Sequence, residues 1–432
     1  VIKGWVLGCG LCSSALAGNL RLEAESRAFF HSGQAAQSVA AQFEAKGQVN
    51  GLKWRIDAFA RQFDPDPNRN TLDLRQALIT AKQGAQEVQL GVGKVFWGVT
   101  ESRHLVDVVN TPDFAQDLDG EAKLGQALIS FSQSFDGAGR LTAYVLPFSR
   151  EATIATLHPR LPFPLAGESR FQSPNQTALA ARWQGRGENY GVAWDVAGSY
   201  FQGRARLPDF LPCLRQGSGF SNTQNQNNCD LAGLMNAPPN LPPALINVLT
   251  ALGLLPSEAE LRRLAEQNLV LVPFTPQEQR LGLELQAVQG AVAYKLEALY
   301  RQRGTFMAAR QSTWAAVAGV EISDQWRGWD VGYLAEFLYD QQRGLLQGRF
   351  DHDVFVGFRL SLNDVGGSTA LGGVVLDRSG KEPLYTLKMQ RRLSDDWRIG
   401  LNYRQFSGLQ NPLERSVLRD DSRVGLVLER FF

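Results

Sequence analysis

Residues 422–432, SRVGLVLERFF, decide the fold class. Val424, Leu426, Leu428 and Phe432 fall on one face of an extended chain, and Arg423 and Glu429 on the other. Successive side chains of a strand point to opposite faces, so this segment has an apolar side and a charged side. A strand between lipid and a wet lumen needs that alternation. Arg430 breaks the apolar face, at a position from which its long stem could snorkel to a membrane boundary.

The period of two recurs upstream. In 51–63, Leu52, Trp54, Ile56, Ala58 and Ala60 oppose Lys53, Arg55, Asp57 and Arg61. In 189–201, Tyr190, Val192, Trp194, Val196 and Tyr200 oppose Asp195. In 329–340, Val331, Tyr333, Ala335, Phe337 and Tyr339 oppose Asp330, Glu336 and Asp340. In 352–363, Val354, Val356, Phe358, Leu360 and Leu362 oppose Arg359, and in 397–406, Trp397, Ile399, Leu401 and Tyr403 oppose Arg398, Asn402 and Arg404. One such segment also fits a soluble antiparallel sheet. The repetition, with aromatics at many segment ends, fits a transmembrane antiparallel β-barrel.

Strands are expected at 19–30, 38–49, 51–63, 71–81, 85–96, 124–135, 139–148, 177–187, 189–201, 277–289, 291–303, 311–323, 328–341, 352–363, 369–378, 383–393, 397–408 and 421–432. That is about eighteen, an even number as single-chain bacterial barrels have. Sixteen is the alternative, because 139–148 contains Pro147. Links alternate short and long. Asn50-Gly51, Lys82-Gln83-Gly84, Asp136-Gly137-Ala138, Gly187-Glu188, Gln289-Gly290 and Ser394-Asp395-Asp396 are short. The links 64–70, 97–123, 149–176, 202–276 and 409–420 are long. With both termini in the periplasm, the long links become extracellular loops. The 202–276 stretch reads as the only non-β region, with short helices at PPALINVLTALGLL and at PSEAELRRLAEQNL, the latter opened by Pro256-Ser257.

Composition agrees. The 432 residues carry 44 Lys+Arg against 43 Asp+Glu, a net charge of +1, which argues against a nucleic-acid binder. Hydrophobic residues make up 44%, too many for a disordered chain. Beyond the N-terminus no run of about 20 apolar residues could form a membrane helix. Residues 1–17, VIKGWVLGCGLCSSALA, read as an export signal: Lys3, an apolar middle, and an Ala15-Leu16-Ala17 cleavage site. The barrel would then cover 18–432. In an oxidising compartment the remaining cysteines, Cys213 and Cys229, are expected to form a disulfide, with two free thiols as the alternative.

No Walker A, H-E-x-x-H, G-x-S-x-G or mature C-x-x-C motif is present, so no enzyme, cofactor or metal site is expected. His104, near Ser102, Glu101 and Asp107, is the sole candidate for histidine-based chemistry. The inward faces carry a basic wall instead: Arg55, Arg61, Arg359, Lys388, Arg392, Arg398, Arg404 and Arg423. Inward acids such as Glu23, Glu25, Glu44, Asp57 and Glu429 are interspersed, so these charges read equally as pairs that neutralise each other and brace the barrel or as a wall that sets ion preference.

A final strand ending on an aromatic, here Phe432, resembles the C-terminal assembly signal of Gram-negative outer-membrane barrels. Residues 91–98, GVGKVFWG, resemble the glycine, basic residue and Trp-Gly pattern of some porin-like families, phosphate-selective porins among them. The resemblance implies an outer-membrane location, contact with lipid, and recognition by the barrel-assembly machinery through Phe432. It also implies a third extracellular loop that folds inward and narrows the pore. By strand count that loop is 97–123, with Glu101, Arg103, His104, Asp107, Asp113 and Asp117 as constriction residues. A solvated acidic loop outside the pore is the alternative. The expected function is passive diffusion of small hydrophilic solutes, with anions among the candidates. A structural barrel, serving as a scaffold or sleeve for a partner protein or as a plugged surface protein, is the competing reading. A homo-oligomer stays open, and nucleic acid is not an expected partner.

Overall fold

The computed structural model describes residues 18–153, 170–171, 177–214, 269–304, 310–342, 352–378, 382–409 and 418–432. The expected signal at 1–17, the two expected helices and Cys229 lie outside them.

In chain order the strands are β1 (Gly18–Phe29), β2 (Ala35–Val49), β3 (Leu52–Asp64), β4 (Thr71–Gln83), β5 (Gln86–Gly93), β6 (Gln126–Phe135), β7 (Gly139–Leu146), β8 (Arg170–Phe171), β9 (Ala178–Asn189), β10 (Val192–Arg204), β11 (Asp209–Leu214), β12 (Leu269–Thr275), β13 (Gln277–Gln289), β14 (Val292–Gly304), β15 (Arg310–Trp326), β16 (Trp329–Asp340), β17 (His352–Ser361), β18 (Thr369–Leu376), β19 (Leu384–Arg392), β20 (Trp397–Phe406) and β21 (Arg423–Phe431). All but β8, β11 and β12 join one 18-stranded antiparallel sheet. It closes on itself where β1 pairs with β21, from Arg21 opposite Phe431 to Phe29 opposite Arg423. The Phe432 amide adds a last bond to the Leu20 carbonyl at 2.9 Å. Closure pairs the edge strands, which backbone in lipid requires.

The exterior is apolar, as the alternation demands. Leu72, Ile79, Leu90, Leu281, Tyr333, Phe337, Val356 and Leu426 all face outward and exposed. Aromatics gather toward the rims. Tyr300 and Trp314 lie 4.8 Å apart near the long-loop rim, and Trp326 and Trp329 lie 5.2 Å apart at a short turn. Arg430 sits outward near the short-turn rim, 5.3 Å over the Trp397 ring and 4.5 Å over Phe432. Aromatic faces thus hold the one cation of that strand's outer face.

Tight hairpins explain the register. Asn50 and Gly51 have φ of 50° and 82°, and Tyr190 and Gly191 have 51° and 73°, as two-residue turns of the primed type require. The second pair corrects the turn expected at Gly187-Glu188. Gly187 lies within β9 opposite Trp194, where an added Cβ would come within 2.5 Å of the indole. That glycine is a bed for a tryptophan rather than a turn residue.

A second correction concerns 202–276, which is not wholly non-β. β11 pairs antiparallel with β12, and β12 runs parallel to β8 in a separate three-stranded sheet. Leu271, Val272 and Phe274 are buried there. A continuous apolar run such as LVLVPFT has no period and reads equally as helix tail or buried strand. The strand at 139–148 stops at Leu146, just before Pro147.

Candidate constriction inside the barrel

The segment between β5 and β6 folds into the lumen. Its stems are clamped by Asn110, which is fully buried. The Asn110 amide donates to the carbonyls of Gly93 (2.9 Å) and Leu124 (2.8 Å) and accepts from the Val95 amide (2.8 Å). Trp97, Val106, Val108 and Val109 pack on Leu128, Leu146, Ala180 and Phe201 of the inner wall. Leu105 joins a second inner cluster with Leu299, Leu334, Leu338, Phe355 and Val375. Burying each large aliphatic or aromatic side chain is worth about 1.5–3 kcal/mol, so these contacts outweigh the ordering of a long loop segment only in sum.

The descending limb, residues 98–106, hangs from wall carboxylates. The Glu297 side chain on β14 accepts from the amides of Val99 (2.8 Å), Thr100 (3.0 Å) and Val106 (3.2 Å) and from the Thr100 hydroxyl (2.6 Å). Glu336 on β16 accepts from the amides of Glu101 and Ser102, both at 2.8 Å, and from the Ser102 hydroxyl. Glu284 on β13 accepts from the Gly98 amide (3.1 Å) and from Arg182 (2.8 Å). Each glutamate acts only as an acceptor, which suits the ionised form. All three are at most 2% exposed. Gly98 permits the close approach: its φ is 136°, and a Cβ there would stand 2.9 Å from a Glu297 oxygen.

The returning limb, residues 115–121, meets a basic wall. Asp117 bridges Arg404 and Arg423, both at 2.5 Å, and Asp119 bonds Arg404 at 2.8 Å. Glu121 pairs with Lys388, which also lies 3.6 Å from Asp119. Asp421, fully buried, lies 3.3 Å from Arg404 and also pairs with Arg423. Arg69 donates to the carbonyls of Ala115 and Gln116, both at 3.0 Å, and Arg75 donates to the Gln116 side chain at 2.6 Å.

Burial alone would raise the pKa of Asp117, but Arg404 and Arg423 overcome it and hold that carboxyl well below its ordinary range. Burial, then the neighbouring Asp117, raises Asp119. Burial also raises Asp107, against the pull of Lys123 at 3.3 Å. Burial would depress His104, yet Glu297 at 3.9 Å outweighs it, so the imidazole pKa is raised.

The expected residues therefore divide. Glu101 reaches Arg359 at 2.6 Å, and Asp117 reaches Arg404 and Arg423. Arg103 faces away from the basic wall, to Asp340 at 2.9 Å. His104 faces Glu297, and Ser102 is bonded to Glu336 rather than to the imidazole. Asp113 braces its own loop, accepting from the Ala115 amide and the Thr153 hydroxyl. On the wall, Arg61 pairs with Glu23 at 2.8 Å, and Arg398 lies 3.5 Å from Glu429 toward the short-turn rim. Arg55 and Arg392 are exposed near that same rim. Sequence reasoning missed Glu284, Glu297, Arg69, Arg75 and Asn110 as supports of the loop. Only the unusual placement of inward glutamates on three strands could have flagged the first two. Among the described residues no cluster of three His, Cys, Asp or Glu side chains could hold a metal ion.

Two of the cavities against the loop share part of their lining. One of about 640 Å³ extends toward the short-turn rim and is lined there by Ser361, Thr369, Gln390 and Glu429. One of about 360 Å³ lies toward the long-loop rim and is lined by Leu299, Phe355 and Phe406. Glu101, Asp119, Glu121, Lys388 and Arg404 line both, so the cavities meet at a charged neck.

The chain matches no protein-family model and no curated protein. Among solved structures, Pseudomonas aeruginosa OccK5 (OpdH) superposes with a TM-score of 0.50 at 9% identity, over 96% of this chain and 98% of that one. The outer-membrane protein OpdK of the same organism gives 0.48 at 9% identity, over 96% and 98%. Wzi of Escherichia coli, described as a carbohydrate-binding β-barrel involved in capsule assembly, gives 0.46 at 8% identity, over 96% and 84%. At such identities the likeness to OccK5 shows the fold alone: a closed β-barrel of the outer-membrane type.

Proposed function

We propose that the chain is a porin-like channel of the outer membrane, passing small hydrophilic solutes by diffusion. One observation carries the reading: the two cavities share a border where loop carboxylates pair directly with wall cations. Opposed charges across a wet constriction create a transverse field, and such rings set ion preference. Arg359, Lys388, Arg404 and Arg423 face Glu101, Asp117, Asp119, Glu121 and Asp421, so the charges nearly cancel. The channel should therefore select weakly at neutral pH and respond strongly to any change in that balance. A scaffold would not need two cavities joined at a charged neck. The test is reversal potential across a KCl gradient in a planar bilayer. Discrete channels with a small reversal potential support the reading, and a folded barrel that never conducts overturns it.

A further inference from the structure

The cavity toward the long-loop rim differs in chemistry from the neck below it. Part of the lining is apolar: Leu299, Phe355, Val375 and Leu384, with Leu105 from the loop, all line it and belong to one packed cluster. The same lining carries Arg103, Arg206, Arg280 and Arg301. The carboxylates that answer these arginines are Asp340 and Glu278. Asp340 is shared by Arg103 and Arg301. Glu278 lies 2.6 Å from Arg280 and 3.8 Å from Arg303. Positive charge is left over, and it falls on Arg206.

Arg206 donates through Nε to the Val108 carbonyl at 3.1 Å and stacks over Phe201 at 4.9 Å. Its two terminal nitrogens are buried and have no hydrogen-bond partner. Burial pushes its pKa down to about 10, with Glu278 only partly offsetting the loss of solvent. Unsatisfied buried guanidinium donors are costly, and a bidentate anion would satisfy them at one stroke. At about 360 Å³ the cavity falls within the range of small-molecule sites, which combine apolar walls with a few placed polar groups.

We propose that this cavity is a binding site for small organic anions, a carboxylate head at Arg206 and a short apolar body against Leu299, Phe355 and Val375. The proposal rests on the channel reading for its purpose, as a capture site above the neck, but not for its chemistry. An inorganic anion would leave the apolar wall empty, and an alkylammonium would add charge to an arginine cluster.

The test is titration calorimetry of the refolded barrel in detergent, with detergent-only blanks, using hexanoate, acetate, inorganic phosphate and hexylamine. Hexanoate should bind at least tenfold more tightly than acetate or phosphate, and hexylamine should not bind. Arg206→Gln, which keeps a donor for the Val108 carbonyl, should weaken hexanoate at least tenfold. Val375→Thr, nearly isosteric, should narrow the gap between hexanoate and acetate. Heat-modifiable gel migration confirms that each variant is folded. Equal binding of hexanoate and acetate, or hexanoate binding unchanged in Arg206→Gln, would overturn the proposal. Bilayer recording separates the two readings. Selective hexanoate binding by a barrel that never conducts sustains the site and defeats the channel, whereas conduction without hexanoate preference does the reverse.

Discussion

The two limbs of the inward loop are held by opposite chemistry. Residues 98–106 offer backbone amides and two hydroxyls to buried glutamates on β13, β14 and β16. Residues 115–121 offer carboxylates, backbone carbonyls and the Gln116 side-chain oxygen to arginines and a lysine on β1, β4, β19, β20 and β21, and to Arg69 beyond β3. The descending limb is thus fixed chiefly through its backbone, with Glu101, Arg103 and His104 adding side-chain pairs, and its glutamate acceptors are sealed from water. The returning limb is fixed by loop charge, and Lys388 and Glu121 stand partly in solvent. The first arrangement suits an anchor. The second leaves charge facing the lumen, where it can act on a passing ion.

The largest expected effect comes from breaking the anchor. Glu297→Ala removes the acceptor for three amides and a hydroxyl, each costing about 1–3 kcal/mol if left buried and unpaired. The loop should leave the wall, and single-channel conductance should rise several-fold. Arg404→Ser comes next. It leaves Asp117, Asp119 and Asp421 short of a partner at a cost of about 3 kcal/mol. Reversal potential should move clearly toward cations. Arg398→Ser, whose partner Glu429 lies toward the short-turn rim, should move it far less; equal shifts would mean that the neck is misplaced.

Acidity should divide the limbs. With its raised pKa, Asp119 takes up a proton at a higher pH than an ordinary carboxylate, so as pH falls the neck becomes more positive and preference shifts toward anions. Asp119→Asn should remove most of that shift. Asp117 has a lowered pKa, so its ion pairs stabilise the returning limb above the ordinary carboxylate range and fail only as pH drops through the lowered value. His104 has the opposite sign. Its raised pKa means that its contribution is complete below about 6.5, the ordinary imidazole value, and is lost as pH rises through the raised one. Amide exchange protection should therefore fall at 98–106 on the alkaline side and at 115–121 in strong acid.

The smallest expected effect is that of salt. At 1 M the screening length is about 3 Å, so the exposed Lys388–Glu121 pair should weaken while Glu297 and its amides hold. Exchange at Glu121 should quicken slightly with salt, and at Thr100 not at all.

Much of this was legible in the residues. The alternation in 422–432 and its repeats gave strand, face and parity, because a membrane barrel imposes period two on every crossing. Glu101 and Asp117 were legible as acids opposite a basic wall. Two kinds of feature were not. Glu297 and Glu336 looked like ordinary lumen charges, since nothing local shows that backbone amides 197 and 235 residues away will donate to them. β11 and β12 were hidden because LVLVPFT has no period to read. Gly187 misled because a glycine under Trp194 looks the same in sequence as a glycine in a turn.

The central claim is that the segment between β5 and β6 lies inside the barrel and sets the width of the path. Single-channel conductance in a planar bilayer tests it most directly, comparing the full chain with a variant in which residues 98–121 are replaced by a short Gly-Ser linker. Heat-modifiable migration shows that both have folded. The account predicts a conducting full chain and a several-fold larger conductance for the variant, with weaker dependence on pH. Equal conductance in two folded barrels, or none in either, would contradict it.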